Sequence, residues 1–249
     1  MSVLGTRPDI IQMASVSAAL APLVCEILVH AGCEQGAWSL HSTDAGLPRP
    51  AYEIGVDSRS RTQQLGIVQL RLAKLIERER PDAVLVRGNT NAALSAARAA
   101  AAACVPLLHI DAGLRSGCAD SYEERNGMQV DRLAHLLLAP TPAARRTLLK
   151  EGLGSEIHVV GDLLLGDYRV ALCIARLVRG FIDRQAIRAA DVVGRQTAGR
   201  RPAAPQPGRV RPRARPGNVR PRARRLLPAA PPAVMSPLAK TLLARDWLH

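Results

Sequence analysis

Through the first two thirds of the chain, short apolar runs alternate with longer stretches whose apolar residues recur every three or four positions. The short runs read as buried strands and the longer ones as helices with one apolar face. Val3-Leu4 is the stub of a first strand. Pro8 then suits the first turn of a helix, because its ring fixes a helical φ and its missing N–H is not needed there. Ile10, Met13, Ala14 and Ser17 give that helix a mostly apolar stripe. Residues 24–29 read as a second strand interrupted by Glu26, whereas 31–57 show too little periodicity to assign.

Over 61–79, Leu65, Val68, Leu72, Leu75 and Ile76 share one helical face with Arg and Glu opposite, the pattern of a surface helix packed on a sheet, and Pro81 ends it. A strand over 83–86, an alanine-rich helix over 92–103 and a strand over 105–110 follow. A helix at 126–135, a strand at 136–139, a helix at 141–152 and a strand at 157–160 complete the series. Thr141 caps the last of these helices, Pro142 takes its first position, and Gly152 supplies the positive φ wanted past its end. Repeated strand-helix order implies a parallel sheet covered on both faces, a three-layer Rossmann-like α/β domain. Residues 1–180 are assigned to it.

Composition divides the chain. Residues 195–249 carry 13 Lys+Arg and one Asp, while 1–194 carry 21 Lys+Arg against 20 Asp+Glu, so the net charge of +13 belongs almost wholly to the tail. Ten of the 18 prolines lie there too, and Val210-Arg-Pro-Arg-Ala-Arg215 recurs as Val219-Arg-Pro-Arg-Ala-Arg224. Such a segment buries too little apolar surface to offset the entropy of ordering, so 195–249 is expected to be a disordered basic tail, with a short helix at 237–249 its one candidate element.

The five cysteines form no Cys-x-x-Cys pair, which argues against a zinc knuckle or a disulfide framework. No apolar run reaches the roughly 18 residues of a membrane span, and no secretory leader is evident, so a soluble cytoplasmic protein is expected.

Three polar segments sit where strands hand over to helices. Gly5-Thr6-Arg7-Pro8 offers free helix-terminal amides and a guanidinium, a setting for a diphosphate; its plain alternative is a tight turn with a surface arginine. Arg87-Gly88-Asn89-Thr90-Asn91 reads equally as an Asn-capped helix start. His109-Ile110-Asp111-Ala112-Gly113-Leu114-Arg115 ends a strand and leads to Glu123-Glu124-Arg125-Asn126 and Asp131-Arg132. His109 and Asp111, two apart, are too few for a metal site, and a core histidine bonded to backbone is the better reading of His109. Glu123 and Glu124 double as favourable charges at a helix start. Asp131-Arg132 reads as a structural ion pair.

From about Leu4 to Asp167 these motifs together resemble the non-hydrolysing UDP-N-acetylglucosamine 2-epimerases. The resemblance implies inversion at the sugar's second carbon, through elimination of UDP to a glycal and its return on the opposite face, with no redox cofactor and no metal. It implies one half of a glycosyltransferase-B-like fold. It implies catalytic roles for Asn89, Asp111 and Glu123, and substrate contacts for Arg7, Gln12, Asn89 and Asp111. Three of these positions differ from the family pattern. Gln12 stands where the family has lysine, Asn89 where Gly-Asp-Thr has aspartate, and Asp111 where His-Val-Glu-Ala-Gly-Leu-Arg has glutamate. An amide accepts no proton, and a carboxylate one methylene shorter is displaced by more than about an ångström, enough to cost catalysis heavily. Tyr122 replaces the proline of Pro-Glu-Glu.

The family's second-half segments, His-Arg-x-Glu-Asn and Thr-Asp-Ser-Gly-Gly, do not occur in this sequence. The Arg/Pro/Ala-rich sequence in their stead has the composition of a GC-rich gene read out of frame, so the expectation is a second domain lost or frameshifted, and doubtful activity. Partners expected are a UDP-sugar, a second copy of the chain, and nucleic acid held without sequence preference by the tail. Two other readings stand beside the enzyme: a non-catalytic nucleotide-sugar-binding remnant, and a nucleic-acid-binding protein, the latter disfavoured by the scarcity of aromatics. Binding by a flexible polycation draws its free energy from counterion release. Affinity for a random duplex is therefore expected to fall steeply with salt and to vanish on deletion of 195–249, as a fluorescence-anisotropy titration would record; sequence-selective binding that survives the deletion would reverse this ordering.

Overall fold

The structure, a computed structural model, describes residues 1–32, 46–56, 60–118, 120–163 and 167–198. Seven strands form one parallel sheet in the order β3-β2-β1-β4-β5-β6-β7. They are β1 (Ser2–Leu4), β2 (Leu28–His30), β3 (Tyr52–Glu53), β4 (Val84–Arg87), β5 (Leu107–Ile110), β6 (Leu136–Ala139) and β7 (Glu156–Val159). The helices are α1 (Arg7–Leu20), α2 (Arg61–Glu79), α3 (Asn91–Ala102), α4 (Tyr122–Leu133) and α5 (Pro142–Lys150), with α6 (Tyr168–Ala198) after the last strand. This is the three-layer α/β architecture that the strand-helix alternation predicts. No helix among the described residues is long and apolar enough to cross a membrane.

The sheet is apolar on both sides, and strand parity assigns each residue to a layer. Val3, Val84, Val86, Leu107 and Leu137 face α2, α3, α4 and α5, where they meet Leu72, the alanines of α3, Val130 and Leu148. Leu4, Leu85, Leu108, Ile110 and Leu138 face the other way, onto Ile10, Met13 and Val16 of α1 and Ala171, Ile174 and Phe181 of α6. Alanine crowds α3 because that helix is enclosed: six of its alanines are almost wholly buried, and α2 and α4 lie against it.

Several boundaries depart from the sequence reading, each for a local reason. The second strand is only β2, since Glu26 turns back to accept hydrogen bonds from Ser2 and Ser17. Within 31–57, β3 pairs with β2; residues 33–45 and 57–59 lie outside the described set. α4 begins four residues before 126, because the Ser121 hydroxyl caps the Glu124 amide. α5 stops at Lys150, with Gly152 just beyond at φ +73°. α6 has no counterpart in the sequence-predicted elements, although Ala171, Ile174, Ala175, Val178 and Phe181 give it an apolar face; it continues past residue 180. The compact unit that contains the sheet runs Met1–Val192, and the expected disordered tail lies outside the described residues from 199 onward.

Leu108 is fully buried against α1 and α6, whereas Leu70 on α2 is 60% exposed. In chemical denaturation, Leu108→Ala is expected to cost about 2–5 kcal/mol through lost packing and a residual cavity, and Leu70→Ala less than about 0.5 kcal/mol.

Candidate functional site

β1 and β4 are neighbours although α1, β2, β3 and α2 intervene in the chain, so the direction in which strands are added reverses between them. Open α/β sheets bind ligands outside the carboxyl ends of the strands at such a reversal. A cleft of about 260 Å3 opens there, lined by Thr6, Pro8 and Asp9 after β1, by Arg87 at the end of β4 and Gly88 to Thr90 beyond it, by His109 of β5 and Asp111, Leu114 and Arg115 beyond it, and by Gly127 and Asp131 of α4. Gly5 lets the first loop approach, since a Cβ there would stand 2.5 Å from that of Ala92.

Two linked groups of charges form the floor. Asp9 is buried in the first turn of α1, where one oxygen accepts the Gly5 and Thr6 amides at 3.2 and 2.9 Å and the other takes Arg87 Nη1 at 3.1 Å. Arg87 reaches Asp9 because it alternates with Val86 and so leans to the α1 side of the sheet. Its Nη2 pairs with Asp111 Oδ2 at 2.7 Å, while its Nε is buried without a partner among the described residues.

Asp111 has left the strand with φ +65°, a left-handed conformation that few residues other than glycine, asparagine and aspartate tolerate. Burial pushes its carboxyl above the usual range; Arg87 and His109 oppose that shift and Asp162 adds to it.

The second group centres on Asp131, which is completely buried. Its Oδ1 lies 2.7 Å from His109 Nδ1, and its Oδ2 accepts Arg115 Nη2 at 2.7 Å and the Gly113 amide at 3.2 Å. Arg115 also grips Glu151 through two nitrogens, both at 2.8 Å. Burial acts to raise the Asp131 carboxyl, but the hydrogen bonds and charges of His109 and Arg115 outweigh it and hold Asp131 below the ordinary value. The partner read for Asp131 from the sequence, Arg132, is exposed, because on a helix adjacent residues point apart.

Asn89 and Asp111 thus line one cleft. Arg7, Gln12 and Glu123 are not among its lining residues. Arg7 is exposed at the first position of α1. Gln12, one turn further, has its Oε1 buried without a partner among the described residues. Glu123 is exposed in the first turn of α4, where the Ser121 hydroxyl, 2.7 Å away, holds its carboxyl below the usual range. Glu124 instead ties down the 116–118 loop, accepting the Ser116 amide at 2.8 Å and that of Cys118 at 3.3 Å.

His109 is a core histidine bonded to backbone, with Nε2 2.8 Å from the Gly88 carbonyl. Sequence reasoning gave no role to Asp9 or Arg87, the residues that join α1 to the rest of the floor. A charged residue closing an otherwise apolar strand was the available signal for Arg87.

Comparison with known proteins points the same way. The family model described as UDP-N-acetylglucosamine 2-epimerase matches residues 22–189. The UDP-N-acetylglucosamine 2-epimerase of Methanococcus maripaludis is 35% identical over 166 residues, 66% of this chain and 45% of its own length. The UDP-2,3-diacetamido-2,3-dideoxy-D-glucuronate 2-epimerase of Pseudomonas aeruginosa is 32% identical over 171 residues, 66% of this chain and 48% of its own. Among solved structures, the Methanocaldococcus jannaschii UDP-GlcNAc 2-epimerase in complex with UDP-GlcNAc and UDP superposes with a TM-score of 0.60 at 32% identity, covering 65% of this chain and 46% of that one. The chain spans about half the length of the curated relatives it matches.

A carboxyl held below its unfolded value contributes stability that is complete above that unfolded value and is lost as pH falls through the folded one. Asp131 should therefore stabilise the fold at neutral pH and cease to do so in acid. Asp131→Asn is expected to cost about 2–4 kcal/mol in urea denaturation at pH 7, with the gap to the parent closing as pH falls below about 4. Asp111, shifted upward, has the opposite sign: its contribution declines as pH rises from the ordinary aspartate range through its raised value.

Proposed function

This chain belongs to the UDP-N-acetylglucosamine 2-epimerase family, and from that membership we propose that it forms the N-terminal, sugar-facing half of a site for a UDP-sugar. The reaction proposed for the complete site is the interconversion of UDP-N-acetylglucosamine and UDP-N-acetylmannosamine by elimination and re-addition of UDP. The observation that carries this reading is the shared cleft: Asn89 and Asp111, from two separate family motifs, line it together at the reversal of strand order.

In this proposal Asp111 moves the carbon-bound proton, its raised carboxyl being better matched to proton exchange near neutrality than an ordinary aspartate. Asn89 holds a hydroxyl or the acetamido group. Arg7 and Gln12 of α1, outside the cleft lining, are the proposed contacts to the departing diphosphate, the Gly5 and Thr6 amides being taken by Asp9, and Glu123 acts as a second carboxylate from the start of α4. The proposed domain comprises residues 1–180 with the helix that continues from them, and 195–249 form a separate basic tail. A homodimer in the cytoplasm belongs to the same proposal.

Binding without turnover has one specific observation in its favour. Arg87 engages the Asp111 carboxylate at 2.7 Å, and beside it stands an amide that cannot take a proton. The two readings separate on activity. In a coupled assay for UDP-N-acetylmannosamine, the chain alone is expected to show no measurable turnover, and Asn89→Asp with Asp111→Glu is expected not to rescue it. The same pair of substitutions in a fusion carrying the second half of an intact relative is expected to restore turnover. A rate of about 1 per second or more from the unmodified chain would overturn this ranking of defects.

A further inference from the structure

We infer that His109 is a positioning residue for the cleft: a ring protonated on both nitrogens that ties the Gly88-Asn89 turn to Asp131 on α4. The side chain is 2% exposed, and each nitrogen meets an oxygen that can accept. Nδ1 lies 2.7 Å from Asp131 Oδ1, and Nε2 lies 2.8 Å from the Gly88 carbonyl oxygen. A neutral imidazole donates from one nitrogen only, whereas the imidazolium donates from both. The proton on Nδ1 belongs to the ring because Asp131 is fixed as a carboxylate from its other side. Arg115 Nη2 and the Gly113 amide both donate to Oδ2.

The remaining charges near the ring follow the same accounting. Glu151 lies behind Arg115; Asp111, just past the end of β5, is countered by Arg87 from β4, which also holds Asp9 of α1. Counting the ring as positive, Asp9, Asp111, Asp131 and Glu151 face Arg87, His109 and Arg115 in an alternating network.

The consequence falls on the turn. Gly88 has φ +66° and is pinned from both sides by β5, its amide donating to Ile110 O at 3.0 Å and its carbonyl accepting from His109. Asn126 adds a third tie, donating to the Asn89 carbonyl at 3.0 Å. His109 thereby sets the backbone from which Asn89 and Thr90 enter the cleft. The inference concerns the ligand-free turn and does not depend on which sugar binds.

Nitrogen-15 NMR of the labelled full chain at pH 7 tests it. Both His109 ring nitrogens should carry protons; a bare nitrogen in the parent chain would overturn the inference. In Asp131→Asn the new amide can donate to Nδ1, so the ring should become neutral with its proton on Nε2, and a ring still doubly protonated would show that Asp131 is not its counter-charge. In His109→Gln, hydrogen exchange of the Gly88 amide should quicken about tenfold relative to that of Leu85 in the middle of β4, the scale of one lost buried hydrogen bond. Equal acceleration at both amides would mean that the ring merely supports the fold. If His109→Gln does not fold, the ring states of the parent and of Asp131→Asn decide the matter.

Discussion

Burial of the sheet on both faces is the constraint from which the cleft follows. The central strands carry apolar side chains to either side, so polar chemistry can enter only where a strand ends. At those ends the parity of the last residues still operates. His109 falls on the side of α4 and meets Asp131; Arg87 falls on the side of α1 and meets Asp9. The two groups of charges are thus sorted by the same alternation that builds the core.

That sorting explains why a charge-dense floor can be buried. Lone ions in such a setting would cost several kcal/mol each, but here each carboxylate of the floor has a cationic partner at hydrogen-bond distance. The arrangement also shapes the chemistry on offer. Asp111 is held between a burial effect that favours its protonated form and an arginine that favours its anion. A ligand entering the cleft meets paired charges, and any proton transfer through Asp111 has first to loosen its contact with Arg87.

Much of the fold was legible because the strongest signals were periodic. α2 runs Arg61–Glu79, just as its apolar spacing indicates, and β6 coincides with the run 136–139. Elements governed by single polar residues were less so. Glu26 shortened β2 by bonding to Ser2 and Ser17, and Ser121 started α4 early. α6 carries a weak sequence signal because its arginines and its exposed Ile187 blur the contrast between its faces. For the site, motifs drew attention to Asn89 and Asp111, and the structure places both along one cleft. The bond between Asp9 and Arg87 joins residues 78 positions apart, and no local pattern announces such a pair. Why Arg7, Gln12 and Glu123 stand away from the lining has a simpler ground: the exposed first turns of α1 and α4 carry two of them, and Gln12 lies a turn further along α1.

The left-handed backbone at Asp111 bears on how this sequence can change. Aspartate is among the few side chains that occupy that conformation at modest cost, and glutamate is less at ease there. A shorter carboxylate at this point therefore gains backbone comfort for what it loses in reach, and Arg87 fastens it in place. Any exchange of the acid at 111 therefore acts at once on a left-handed backbone and on a partner that belongs to a different strand.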